Sequence, residues 1–190
     1  MVTAKSHRPA YLDCAASTPV RSSVLDSMLP YLTEHFGNPS GAHRMARSSR
    51  AAIDDARDIC AAALGFDPHG IVFTSGGTES DNLAIHGACG AQGRAICPET
   101  EHHAVLYPVE AHNGCFVKVT ETGDIDLEHF ETLLDFDLSI ISVMLVNNES
   151  GRVIDLEPIA DLRDRFAPQA LLHTDAGQAV NWLDVAAAAE

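Results

Sequence analysis

The 190-residue chain carries 27 acidic against 12 basic side chains, a net charge of −15, and 46% of its residues are apolar. The apolar share supports a packed core and argues against a disordered chain, while the acidic balance lacks the concentrated basic face that duplex nucleic acid requires. No apolar run approaches the roughly 20 residues of a membrane span, and the N-terminal stretch lacks the apolar segment of a secretory leader.

Taken in chain order, the first 70 residues are helical in pattern. Residues 21–35 and 44–64 both show helical periodicity with no strand between them. In the second, Met45, Ile53, Ala56, Cys60 and Leu64 mark one face, and Gly65 is the expected stop. Between them lies Gly37-Asn38-Pro39-Ser40-Gly41, a loop dense in turn formers.

Beyond residue 70 the pattern changes to alternating strands and helices. Ile71–Thr74 reads as a buried strand, followed by a Gly-rich turn and a helix near 79–89. Residues 94–97 read as a strand, 103–113 as a helix and 115–120 as an alternating strand. Residues 126–134 are helical with Asp126 as N-cap, and 139–146 (SIISVMLV) is the most apolar run and a central strand. A helix over 157–166 tolerates Pro158 at its start, and 171–174 is a last strand. This alternation predicts an α/β fold with a mainly parallel sheet between helices.

Five cysteines, at 14, 60, 89, 97 and 115, form no CxxC pair or ligand spacing. The expectation is a cytoplasmic chain with reduced thiols and no metal site, with Cys60 and Cys89 as small apolar residues inside helices.

Polar clusters follow the predicted strands. Thr74-Ser75-Gly76-Gly77-Thr78-Glu79-Ser80 joins a strand to a helix N-terminus, where free N–H groups and the helix dipole stabilise an anion. It is neither a Walker A loop nor a GxGxxG fingerprint. Thr100-Glu101-His102-His103, Asn147-Asn148-Glu149 and His173-Thr174-Asp175-Ala176-Gly177-Gln178 follow later strands. Each alone reads equally as a capped turn. Four at successive strand ends of one sheet point to a site, because ligands of open α/β sheets bind at the carboxyl edge. A metal-dependent hydrolase built on His102, His103, His173 and Asp175 lacks the HxxxH or HxH pairing such sites use.

Together the segments resemble a known family. Tyr11-Leu12-Asp13, Ala15-Ala16-Ser17-Thr18-Pro19, Gly37-Asn38-Pro39-Ser40 and Thr74–Asn82, continued by the Thr-Glu-His, Val-Asn-Asn-Glu-x-Gly and Asp-Ala-x-Gln segments, are similar to the cysteine desulfurases. These are pyridoxal 5′-phosphate (PLP) enzymes of the class V aminotransferases. The resemblance implies the type I PLP-transferase fold, with residues 1–40 contributing to small-domain and dimer contacts and 41–190 forming part of the PLP-binding large domain. It implies that Gly77 and Thr78 hold the phosphate and that His102 stacks on the ring and assists proton transfer. Asn148 and Gln178 would bind the phenolic-oxygen side, and Asp175 the pyridine nitrogen. No metal is implied.

The implied reaction converts L-cysteine to L-alanine and leaves the sulfur as an enzyme persulfide for an acceptor protein, as in iron–sulfur cluster assembly. The family's Schiff-base lysine lies in a Ser-x-His-Lys segment beyond Asp-Ala-x-Gln, and its persulfide cysteine lies further on. The only two lysines here, Lys5 and Lys118, match neither surroundings nor position. The resemblance thus covers an N-terminal half that needs a complementary C-terminal half, assembled as a dimer, and is inactive alone. Selenocysteine lyase, another class V PLP lyase, or a non-catalytic partner subunit retaining the fold are the alternatives. Cys14 stands where the family has Asn, and reads as a substitution of modest effect rather than a new nucleophile.

Overall fold

In a computed structural model of the chain, residues 9–188 are described. The chain divides into two compact units, Met1–Ala62 and Ala63–Glu190. Lys5 lies outside the described residues.

The first unit contributes α1 (Ser22–Thr33) and most of α2 (Arg44–Leu64). Both match the periodicity, and Gly65 ends α2 with φ at +71°, a backbone region that glycine adopts without strain. The stripe expected to be the packed face of α2 is not. Met45 and Ile53 are 45% and 36% exposed, and the buried side chains are Ala46, Ser49 and Ala61. Ser49 is satisfied there because its Oγ donates to the His35 carbonyl at 3.0 Å and the Met45 carbonyl at 3.3 Å. A unit of this size built from two helices has too little facing surface to bury both apolar stripes. On α1, Val24, Leu25, Met28 and Leu29 are likewise about half exposed.

The second unit carries α3 (Gly77–Cys89), β1 (Arg94–Pro98), α4 (His103–Ala111), β2 (Cys115–Val117), α5 (Leu127–Leu133), β3 (Leu138–Ser142), α6 (Glu157–Phe166), β4 (Leu171–His173) and the short α7 (Val185–Ala188). Among the described residues the strands form one sheet in the order β2-β1-β3-β4, and all three pairings are parallel. Ile96 stands opposite Cys115 on one side and Ile141 on the other, and Ile141 opposite Leu172.

The two-residue period of the strands sends alternate side chains to opposite faces. Ala95 and Cys97 of β1 and Ile140 of β3 pack with Ile85 and Cys89 of α3 and with Val105 and Val109 of α4. Ile96, Ile141 and Val117 face the other way and pack with Phe130 of α5 and Ile159 of α6. Helices therefore cover both faces, which explains why the strands are apolar throughout rather than alternating. Asp126 caps α5, its carboxylate accepting from the His129 N–H at 3.0 Å. Gly93 is dictated by crowding, because a Cβ there would sit 2.3 Å from Ser139 Oγ and 2.5 Å from the Cys89 carbonyl.

One expected strand is absent. Ile71–Thr74 lies outside the sheet, with Val72 and Phe73 65% and 50% exposed. The run has the composition of a buried strand, but it is not one of the four strands of the sheet. The cysteines also depart in part from expectation: Cys89 and Cys97 are buried, Cys60 and Cys115 half-buried and Cys14 exposed. Burial pushes the Cys89 and Cys97 thiols upward, with the neighbouring Glu101 adding to the effect on Cys97. No helix among the described residues is long and apolar enough to cross a membrane.

Phe130 is wholly buried in the centre of the α5/α6 face. Phe130→Ala should lower the unfolding free energy by about 3–5 kcal/mol, measured by urea titration of the chain.

Candidate functional site

Because the sheet is parallel, the segments leaving β1, β3 and β4 emerge on one edge. They are tied to one another there. The Val143 N–H donates to the His173 carbonyl at 2.9 Å, and the Leu145 N–H to the Asp175 carbonyl at 3.0 Å, extending the β3/β4 pairing past both strands. Asn147 Nδ2 donates to the Thr100 carbonyl at 3.0 Å, and the Met144 N–H donates to Glu101 Oε1 at 2.5 Å. Asn82 Nδ2 links α3 to α4 through the Ala104 carbonyl at 3.2 Å.

The first turns of α3 reach this edge, Asp81 lying 3.8 Å from His173. The intrahelical ladder of α3 opens with the Ser80 N–H donating to the Gly76 carbonyl at 3.1 Å, so the N–H groups of Gly77 and Thr78 fall in the turn that has no intrahelical acceptor. A Cβ added at Gly76 or Gly77 would meet no atom within 4 Å. The two glycines thus border open space on a helix N-terminus, with Thr78 exposed beside them. Glu79 is turned away from that role, since its carboxylate accepts from both the N–H and the hydroxyl of Ser75 at 2.6 Å. These bonds hold its carboxyl below the usual range.

His102 is the N-cap of α4, and its Nδ1 accepts from the Ala104 N–H at 3.2 Å. That bond assigns the ring proton to Nε2 and fixes the plane of an otherwise exposed imidazole. The asparagine pair divides its labour. Asn147 builds the turn, its Oδ1 accepting from the N–H groups of Glu149 at 3.1 Å and Ser150 at 2.9 Å. The half-buried Asn148 donates through Nδ2 to Glu149 Oε1 at 3.4 Å. Asp175 Oδ1 accepts from the Gly177 N–H at 2.8 Å, bending the chain toward the half-buried Gln178.

Behind Asp175 the structure adds groups to which the sequence pattern gave no role. Asp81 of α3 and Glu101 are 4% and 5% exposed. Asp81 Oδ2, Glu101 Oε2 and Thr174 Oγ1 are buried without a hydrogen-bond partner among the described residues. His173 Nδ1 bonds Ser142 Oγ at 2.9 Å, and its Nε2 lies 3.8 Å from Asp81 Oδ1. Burial, and then the charge of Asp175, push Asp81 up to about 6. Burial likewise pushes Glu101 up to about 8 against the pull of the Met144 N–H, with Asp175 and Asp81 raising it further. Burial holds His173 below the ordinary imidazole range. Periodicity carried no sign of Asp81, which occupies a helix position that a hydrophobic residue would fill equally well.

The site therefore offers two kinds of group. The α3 turn presents N–H donors over open space, suited to a phosphate, and Asp175 after β4 presents a carboxyl group suited to a cationic N–H. The clusters at 102, 147–148 and 175–178 follow β1, β3 and β4, whereas that at 77–78 follows an extended segment rather than the sheet strand expected before it.

The sequence profile described as aminotransferase class-V matches residues 10–188, and the chain belongs to that family. Among its relatives, the cysteine desulfurase IscS of Neisseria meningitidis serogroup C is 44% identical over 182 residues, covering 90% of this chain and 44% of that protein. The cysteine desulfurase of Homo sapiens is 41% identical over 184 residues, covering 91% of this chain and 40% of that one. A solved structure described as SspA in complex with cysteine superposes with a TM-score of 0.82 at 36% identity, over 89% of this chain and 51% of that one. The DndA structure from Streptomyces lividans gives 0.73 at 31% identity, over 93% and 52%. The fold is that of the type I PLP-dependent enzymes. The chain spans about half the length of the relatives it matches.

Asp81 binds its proton more tightly in the folded chain than the ordinary carboxyl value of 3.8 allows in the unfolded one. Its contribution is full below that value and is lost as pH rises through about 6. The urea midpoint of Asp81→Asn should fall less between about pH 4 and pH 7 than that of the unsubstituted chain.

Proposed function

We propose that this chain is the N-terminal, cofactor-cradling half of a PLP-dependent cysteine desulfurase. The observation that carries the reading is the open α3 turn, where Gly76 and Gly77 border empty space beside the exposed Thr78, together with the Asp175 carboxyl group just after β4. A phosphate monoester suits the first and a protonated pyridine the second. The relatives and the cysteine-bound neighbour support the choice of substrate.

In this reading Gly77 and Thr78 hold the phosphate, and Asp175 pairs with the ring nitrogen. A carboxylate beside a cation raises that cation's pKa by about 1–3 units, which keeps the ring protonated. Asn148 and Gln178 orient the phenolic oxygen. His102, its proton on Nε2, packs against the ring and moves protons between substrate and solvent. Bound PLP supplies an electron sink for carbanion chemistry at the substrate α-carbon. The net reaction converts L-cysteine to L-alanine and leaves a persulfide for a sulfur-acceptor protein in the cytoplasm.

In this reading the lysine that holds the cofactor and the cysteine that takes the sulfur belong to the C-terminal half of the enzyme. Lys118 is exposed just after β2, the strand at the opposite side of the sheet from β4. Residues 1–40 are assigned to small-domain and dimer contacts, 41–190 to the large domain, and the assembled unit to a dimer.

Incubated with PLP and borohydride, the chain should trap no cofactor on lysine and release neither alanine nor sulfide from L-cysteine. A C-terminal half carrying the Ser-x-His-Lys segment should restore both. Turnover by the chain alone would overturn the split-site reading. Restored trapping without turnover would point to a non-catalytic partner, and turnover of selenocysteine alone to a lyase. In the assembled enzyme, Asp175→Asn should lower turnover at least about a hundredfold, because an ion pair at a reacting ring is lost.

A further inference from the structure

We propose that Glu101 is a positioning residue, whose carboxyl group ties the loop between β1 and α4 to the backbone of the segment that follows β3 and thereby sets the His102 ring at the cofactor edge. The proposal rests on the reading of His102 as the ring-facing group.

The loop is only four residues long, running from Glu99 to His102 between Pro98 and His103. Of these four residues Glu101 alone is buried; Glu99, Thr100 and His102 are exposed. Its Oε1 accepts from the Met144 N–H at 2.5 Å, across the sheet edge on the segment that leads from β3 to Asn148. Thr100 is held to that same segment through its carbonyl and Asn147 Nδ2. Among the described residues the imidazole that follows makes a hydrogen bond to its own helix and an edge-on contact with the His103 ring. Its height above the sheet is therefore set by residues 100 and 101, and its rotation by the Ala104 N–H.

Glu101 is suited to this as a neutral acid. The groups facing it are Asp175 after β4, Asp81 on α3 and Cys97 on β1, with burial the larger influence on its proton. None of these is a cation, so at neutral pH the protonated acid accepts the Met144 N–H without adding a further negative charge beside Asp175. An amide reproduces that shape and acceptor, whereas an aliphatic side chain leaves the Met144 N–H buried and unpaired. This separates a positioning role from simple filling of the space.

The test compares Glu101→Gln and Glu101→Leu in the 190-residue chain. Ring-nitrogen NMR reads the His102 tautomer, assigned with His102→Gln, and equilibrium dialysis reads binding of PLP itself. Glu101→Gln should keep the Nε2–H signature and bind PLP within about threefold of the unsubstituted chain, while Glu101→Leu should show mixed tautomers and bind at least about tenfold more weakly. Retention of tautomer and affinity in Glu101→Leu would overturn the proposal, as would equal loss in both variants. If the unsubstituted chain binds no PLP, the cofactor reading fails, and the tautomer comparison still decides the role of Glu101.

Discussion

Parallel pairing of β1, β3 and β4 is the constraint from which the site follows. Strands that run the same way must release their chains at the same edge, and each next segment must begin there. The apolar residues enforce this arrangement from both faces, since Ala95 and Ile140 are committed to α3 and α4, and Ile96 and Ile141 to α5 and α6. A register slip of one residue would exchange the two sets and set each against helices shaped for the other. Polar residues placed after such strands need no further device to be brought together.

The edge concentrates negative charge, and the chain tolerates it by distributing protons rather than by adding cations. Asp81, Glu101 and Asp175 stand close enough to influence one another. Burial makes ionising the first two costly. Glu101, pushed up to about 8, keeps its proton at neutral pH, whereas Asp81, pushed up only to about 6, gives its proton up there. His173, kept neutral by burial and bonded to Ser142, adds no competing positive charge.

Much of this was legible from residue order alone. The helix at 157–166, the Asp126 cap and the Gly65 stop each rest on local chemistry, and each stands where local chemistry puts it. The strand at 71–74 and the packed face of α2 were misjudged for a shared reason. An apolar run states that a surface is to be covered, but not by what, and neither finds its cover in the elements beside it in sequence. Asp81 and Glu101 were invisible as buried acids for the opposite reason. Their burial depends on segments separated by tens of residues, and a charged residue on a helix or in a turn ordinarily signals solvent.

The buried thiols of α3 and β1 have a meaning of their own in a chain proposed to handle sulfur. A persulfide passes its outer sulfur to whichever thiolate can reach it, so each ionisable cysteine near the route is a competing acceptor. Cys97 stands only a few residues before Glu101, yet it is sealed under the helices, and its ionisation is suppressed by burial and by the acid beside it. Cys89 is closed off in the same layer. Burial in this layer thus keeps both thiols from ionising, so that in a sulfur-handling enzyme neither would compete as an acceptor.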